Sequence, residues 1–272
     1  MPELPEVEVL RRDLAAEVVG RRVDAATVTG ARTVRRHPPD EVVEAVAGRR
    51  IRAVGRHGKF LLVELDDGTV LVVHLRMSGQ LRLEDPARPA PPHTHAVLAL
   101  DDGRVLRFVD PRTFGELFVT GPDRPELAGL GVDALEPGLS PADLARQLAG
   151  RRAPVKAVLL DQRRVAGLGN IYTDEVLHEA GVHPFRPGGS LTAAEVRKVA
   201  RVVPKVLRAA VEARGSSLAD AQYVDLYGRT GGFQRAHRVY GREGLPCPRC
   251  GAPVQRLRLG NRSSFSCRSC QK

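Results

Sequence analysis

All four cysteines of this 272-residue chain fall within its last 26 residues, as Cys247-x2-Cys250 and Cys267-x2-Cys270 with 16 residues between the pairs. No other feature restricts the fold so tightly. Two such pairs, each on a tight turn, bring four thiolates into a tetrahedron around one Zn²⁺ and leave no coordination position open, so the implied zinc is structural. Disulfide pairing is the competing reading, and clustered cysteines in a reducing compartment argue against it. The segment is too short to bury a core of its own, so metal binding supplies its folding energy, on the order of 10 kcal/mol. Between the pairs lie Arg256, Arg258, Arg262 and Ser263–Phe265. A zinc-held β-hairpin with arginines at its tip suits a phosphate backbone, although an ordinary solvated face accounts for one or two of them.

Charge points the same way. Lys and Arg number 42 against 32 Asp and Glu, for a net charge of +10. An excess of this size, nearly all arginine, favours a polyanionic partner and bidentate phosphate contacts. A genome that spells lysine as arginine produces the same excess without a partner, and charge alone leaves that open. There is no apolar run long enough to span a bilayer and no signal-peptide pattern at the start, which reads as a cytoplasmic protein without membrane association.

The hydrophobic pattern changes character along the chain. Leu4, Val7, Leu10, Leu14 and Val18 form one helical stripe that stops at Gly20. Short strand-like runs follow at 23–28, 51–54, 60–65, 70–75, 96–100, 105–109 and 116–119, with Asp67-Gly68 and Asp102-Gly103 as hairpin turns and a short helix at 40–47. The Gly- and Pro-rich stretch 121–139 reads as a linker. Beyond it the pattern is helical: Ser140-Pro141 opens one helix, Pro154 a second, 170–180 forms a third, and Thr192-Ala193-Ala194-Glu195 is a capping box for a long fourth that Pro204 should kink. Residues 215–235 read as a mobile loop. The expected fold class is α+β: a β-sandwich domain with an amino-terminal helix (1–120), a linker (121–139), a helical domain (140–235) and a zinc finger (236–272).

The chain starts Met1-Pro2-Glu3-Leu4-Pro5-Glu6. Once Met1 is removed, Pro2 becomes a secondary amine able to form a permanently charged iminium. An α-amino group titrates near ~7.7–8.0, far below lysine at ~10.4, so much of it is a free nucleophile at neutral pH. The competing reading is that Pro2 and Pro5 simply open the first helix. Val165-Ala166-Gly167-Leu168-Gly169-Asn170 places two glycines and Asn170 at a helix start, where outward N–H groups favour an anion, though a plain N-cap is the alternative. His57-Gly58-Lys59-Phe60, His74-Leu75-Arg76-Met77-Ser78-Gly79 and Asp110-Pro111-Arg112-Thr113-Phe114-Gly115 are strand-edge turns, unremarkable singly.

Taken together, MPELPEVE, HGKFLL, HLRMSG, DPRTFG, GLGNIYTDE, VYGREGLPC and the cysteine module with NRSSFSC resemble the formamidopyrimidine-DNA glycosylase family over the full length. The resemblance implies a helix–two-turn–helix motif in the helical domain and a bifunctional enzyme. Such an enzyme removes oxidised purines such as 8-oxoguanine and formamidopyrimidines from duplex DNA, then cuts the strand by β- and δ-elimination. It implies Pro2 as nucleophile at the sugar C1′, Glu3 as general acid/base, Lys59 as the β-elimination proton donor beside a phosphate, and Arg262 as the δ-elimination donor. It implies backbone contacts from His74, Asn170 and Tyr240, further DNA or lesion contacts from His93, Arg152 and Lys156, and Met77, Arg112 and Phe114 filling the stack vacated by an extruded nucleotide. Cys247, Cys250, Cys267 and Cys270 hold its one structural zinc, and the working form is a monomer on one duplex, with the cell's nucleoid DNA as partner. Thr113 stands where an arginine is frequent, and the 219–234 segment, where the family folds a loop over the base, is longer than in many relatives. An endonuclease VIII-like enzyme for oxidised pyrimidines is the first rival; Leu4 speaks against it. A non-catalytic zinc-ribbon DNA-binding protein is the second; Pro2, Glu3 and Lys59 speak against it.

Overall fold

The computed structural model describes residues 2–218 and 223–272. Its compact units are residues 1–128 with 213–232, and residues 129–212 with 233–272.

The first unit is a sandwich of two antiparallel four-stranded sheets. The strands are β1 (Val23–Val28), β2 (Ile51–His57), β3 (Phe60–Leu65), β4 (Val70–His74), β5 (Gln80–Glu84), β6 (Thr94–Leu100), β7 (Val105–Val109) and β8 (Glu116–Thr120). They run in the orders β1-β6-β7-β5 and β2-β3-β4-β8. Helix α1 (Leu4–Val18) covers the span its apolar stripe predicts, and Leu10, Leu14 and Val18 sit in one core cluster with Val63, Val73, Leu81 and Phe108. Each such side chain contributes roughly 1.5–3 kcal/mol on burial, so the stripe fixes the helix on the sandwich. α2 (Pro39–Val46) packs on β1.

β5 was not among the expected strands, because Gln80, Arg82 and Glu84 leave it only two apolar residues, Leu81 and Leu83. The segment 213–232 also differs from the sequence expectation, which places it in the helical domain. It packs in the first unit: Tyr223 and Leu226 join that core, and the Leu83 N–H donates to the Leu226 carbonyl. Part of the expected mobile loop, residues 219–222, lies outside the described residues; the described flanks are tied down by hydrogen bonds.

The second unit holds α3 (Pro141–Leu148), α4 (Val155–Leu160), α5 (Asn170–Ala180) and α6 (Ala193–Glu212). A two-residue parallel pair, β9 (Val132–Asp133) with β10 (Val165–Ala166), and the hairpin of β11 (Gln255–Leu259) and β12 (Arg262–Ser266) complete it. Ser140 and Asp143 cap α3 reciprocally, and Thr192 and Glu195 do the same for α6. α6 stays helical through Pro204; the proline costs a single backbone hydrogen bond, and Val199, Val203, Leu207 and Ala210 bury the surrounding face. Among the described residues, no helix is long and apolar enough to cross a membrane.

Candidate catalytic and nucleic-acid-contact sites

In the first unit, α1 works as a jig. Glu3 is its N-cap, buried in an extended conformation, with Pro2 buried beside it. The Glu3 N–H donates to Glu6 Oε2 at 2.8 Å, and Glu6 Oε1 accepts the Ser216 N–H at 2.7 Å. The peptide joining Pro2 to Glu3 is thereby held by a carboxylate one helical turn away. Two residues on, Glu8 accepts Arg11 (2.9 Å), Arg12 (2.8 Å) and Arg56 (3.0 Å). Burial pushes the Glu8 carboxyl up, but hydrogen bonds from these three arginines outweigh it and hold the group down at about 2. Arg56 reaches on to the Gly58 carbonyl at 3.0 Å. Gly58 and Lys59 form the two-residue turn between paired His57 and Phe60, with Gly58 at φ +57°. Glu6 thus steadies the amino terminus, and Glu8, through Arg56, steadies the turn carrying the buried Lys59.

His74 ends β4 opposite Glu116 of β8. Desolvation first, then the nearby Arg76 and Lys59 cations, press its pKa down to about 3, so the ring is neutral at physiological pH. Its Nδ1 accepts the Arg76 N–H at 3.0 Å. The proton therefore sits on Nε2, which makes the residue a hydrogen-bond donor.

Asp110 locks the next two turns together. Its carboxylate accepts the Ser78 hydroxyl, the Arg112 N–H (3.2 Å) and the Gly115 N–H (2.6 Å). A Cβ on Gly115 would meet the Phe108 ring at 2.6 Å, which keeps that position small. Arg35 braces the same turn from outside, donating to the Phe114 (3.0 Å) and Gly115 (2.7 Å) carbonyls. The locked turns hold out Met77, 38% exposed, and Phe114, 39% exposed, with the Arg112 guanidinium 4.9 Å from the Phe114 ring centre. Singly exposed apolar side chains are ordinary on a protein surface; what distinguishes these two is the braced turns that carry them. His93 is exposed at φ +66°, and its carbonyl accepts the Asp110 N–H.

The second unit is organised by α5, whose residues 171–178 are all buried. Asn170 opens it, and its amide donates to the Ser263 carbonyl at 3.0 Å. Gln162 knits the preceding glycine turn by accepting the Gly167 N–H and donating to the Leu168 carbonyl. Asp174 accepts the Phe265 N–H (2.9 Å) and the Ser264 hydroxyl (3.1 Å) of β12. Glu175 accepts three successive N–H groups, from Arg238, Val239 and Tyr240. Tyr240 is therefore held directly by one carboxylate of α5, and a second anchors β12 at Ser264 and Phe265, two and three residues past Arg262. Arg262 lies exposed beside the Gly260–Asn261 turn of the hairpin, and Arg152 is exposed just before α4.

Lys156 departs from its expected role as a DNA contact. Its side chain is fully buried, 2.7 Å from Asp174 Oδ1 and 3.2 Å from the Ser263 carbonyl. The sequence could not distinguish a basic side chain aimed at phosphate from one aimed at a carboxylate of α5. Asp174 and Glu175, like Glu8 and Asp110, stood inside recognised motifs, yet their partners are remote in sequence and no local pattern announces them.

The four cysteine sulfurs lie within 4.8 Å of one another. Cys247 and Cys270 are 3.9 Å apart, and Cys250 and Cys267 3.4 Å. Four thiolates at ~2.3 Å from one ion stand roughly 3.8 Å apart, so the residues fit zinc. His178 of α5 places Nε2 3.3 Å from the Cys247 sulfur.

A buried Pro2–Glu3 start, a buried lysine on a braced turn, and Met77 and Phe114 partly exposed on braced turns all belong to the first unit. The class is that of the DNA glycosylases. Family models match in sequence order: the formamidopyrimidine-DNA glycosylase N-terminal domain over residues 1–117, its H2TH (helix–two-turn–helix) domain over 130–222, and a zinc finger found in FPG and IleRS over 244–272. The chain belongs to the formamidopyrimidine-DNA glycosylase family. The formamidopyrimidine-DNA glycosylase of Chloroflexus aggregans is 45% identical over 275 residues, covering 100% of this chain and 98% of that one. The crystal structure of the Thermus thermophilus MutM (Fpg) protein matches with a TM-score of 0.89 at 44% identity, covering 99% and 98% of the two chains. The Lactococcus lactis Fpg complex with DNA containing an abasic site matches with a TM-score of 0.92 at 31% identity, covering both chains fully.

Proposed function

We infer that this chain is a bifunctional DNA glycosylase and AP lyase that excises oxidised purines from duplex DNA and then cleaves the strand. The observation that carries the reading is the held Pro2–Glu3 peptide at the start of α1, joined through α1 to the Lys59 turn. A mutant of Lactococcus lactis Fpg bound to DNA containing Fapy-dG matches this chain with a TM-score of 0.92, which together with the family match supports oxidised purine as the principal substrate class; the wild-type Lactococcus lactis protein with DNA containing an oxidised pyrimidine also matches.

In the proposed sequence, removal of Met1 frees the Pro2 amine. The Pro2 nitrogen attacks C1′ of the extruded nucleotide, and the C1′–base bond breaks with its electron pair leaving on the base. Glu3 transfers a proton to the sugar ring oxygen, the ring opens, and the iminium acidifies the C2′ protons. Loss of a C2′ proton expels the 3′ phosphate, and a second elimination expels the 5′ phosphate. Lys59 serves proton transfer in the first elimination, and Arg262 contacts phosphate and serves proton transfer in the second. His74 through Nε2–H, Asn170, Tyr240, Arg152 and His93 serve backbone contacts, while Met77, Arg112 and Phe114 fill the vacated stack at an extrusion cost of a few kcal/mol. Cys247, Cys250, Cys267 and Cys270 would hold zinc, which supplies folding energy to the hairpin bearing Arg262. The enzyme acts as a cytoplasmic monomer on nucleoid DNA.

The test is borohydride trapping on oligonucleotide duplexes containing 8-oxoguanine or thymine glycol. A covalent adduct formed faster with 8-oxoguanine is expected. No adduct with either lesion refutes the enzyme reading, and preference for thymine glycol selects the pyrimidine-specific alternative.

A further inference from the structure

Glu6, Asp13 and Glu17 lie 7 and 11 residues apart on α1, which at 100° per residue puts all three within about 20° of one line along the helix. Their partners all come from the segment that returns to the first unit. Glu6 accepts the Ser216 N–H, Asp13 accepts the Arg214 guanidinium (2.5 Å) and Glu17 accepts the Tyr227 hydroxyl (2.8 Å). Arg214 also grips the fully buried Asp225 at 2.6 Å, and Asp225 in turn accepts the Tyr227 and Arg229 N–H groups. The guanidinium therefore joins the entry of the segment to its exit and joins both to α1.

Arg214 holds this place in a left-handed backbone conformation, at φ +61°, which side-chain-bearing residues avoid. Gly215 follows at φ +78°, and a Cβ there would lie 2.8 Å from Glu6 Cγ. The backbone at 214–216 is thus pressed against the carboxylate that also holds the Glu3 N–H. A strained residue that persists inside a double ion pair is one whose position matters.

We propose that Arg214 is a positioning residue for the amino-terminal nucleophile: clamped by Asp13 and Asp225, it sets where Ser216 meets Glu6, and Glu6 fixes the Pro2–Glu3 peptide. The proposal rests on the reading of Pro2 as the nucleophile. Loss of the clamp lets the Glu6 carboxylate shift with its second partner, and a misplacement of ~1 Å at a reacting centre slows reaction by up to ~100-fold.

The decisive variant is Arg214→Gly, because glycine adopts this backbone without strain and only the guanidinium is lost. The full-length, zinc-loaded protein is assayed in two ways. Single-turnover borohydride trapping on an abasic duplex measures attack. Binding to a duplex with a tetrahydrofuran abasic analogue measures affinity. The expected result is trapping slowed roughly 10- to 100-fold with affinity unchanged, and partial recovery in Arg214→Lys. Asp13→Asn slows trapping in the same direction, and the Arg214→Gly/Asp13→Asn double variant is no slower than Arg214→Gly alone. Trapping that stays near wild type overturns the proposal. So does a fall matched by an equal fall in affinity, which marks a DNA contact or general loosening, and so do fully additive losses in the double variant. Wild-type protein that forms no adduct refutes the lyase reading itself, whereas wild-type trapping with an unaffected Arg214→Gly refutes only the role of Arg214.

Discussion

Replacing Glu8 with glutamine tests how far α1 governs the Lys59 turn. The carboxyl titrates at about 2 in the fold against an ordinary value of 4.5. At ~1.36 kcal/mol per pKa unit that difference is worth at most about 3.4 kcal/mol. Arg12 is half exposed and Arg11 more than a quarter exposed, so solvent screens part of their share. A loss of about 2 kcal/mol at pH 7 is the expected cost of Glu8→Gln. The sign follows from a depressed folded pKa. The stabilisation is complete above pH 4.5 and fades as pH falls through about 2, so the gap between wild type and variant narrows in acid. Urea denaturation at pH 7 and at about pH 3 reads the gap directly. A second consequence is catalytic. Without Glu8, Arg56 loses the partner that aligns it with the Gly58 carbonyl, and the elimination step on an abasic duplex slows more than adduct formation does. A gap that is equal at both pH values, or that widens in acid, refutes the charge argument.

Two further outcomes are expected. Stripping the zinc with a chelator should abolish binding to an abasic duplex as one zinc per chain is released, counted with a metallochromic dye; binding that survives complete zinc loss refutes a folding role for the four thiolates. Lys156→Met should cost about 3–5 kcal/mol by leaving a buried carboxylate without its cation. Burial already pushes Asp174 up to about 6; a raised carboxyl is stabilising when protonated and costly when ionised, so the deficit in urea unfolding should be larger at pH 8 than at pH 5, and a pH-independent deficit refutes it.

The elements legible in the sequence were those fixed by local periodicity. The α1 stripe, the Ser140 cap of α3 and the capping box of α6 depend on residues a turn or less apart, and the cysteine knuckles on two spacers of two. What escaped depends on distant partners. β5 is a strand because β7 pairs with it, not because its residues are apolar. Lys156 reads as a surface cation until Asp174 of α5 meets it. The described residues of 213–232 look like a polar loop in the helical region, and their partners, the carboxylates of α1 some 200 residues earlier and the sandwich core that takes Tyr223 and Leu226, are remote in sequence. For the candidate site, the motifs marked which turns matter, but the buried acids that lock them gave no sign beyond lying in those motifs.

Those acids change the meaning of the net charge. Glu6, Asp110, Asp133 and Glu175 are buried and accept backbone N–H groups. Each counts against the arginines in the formal total of +10, yet its oxygens are taken up by backbone N–H groups inside the fold and are not offered at the surface. A polyanion at the surface therefore makes no direct contact with these four carboxylates. Attempts to tighten DNA binding by neutralising acidic residues would come at a structural cost at these four positions, because glutamine or asparagine there would weaken the turns and caps these carboxylates hold.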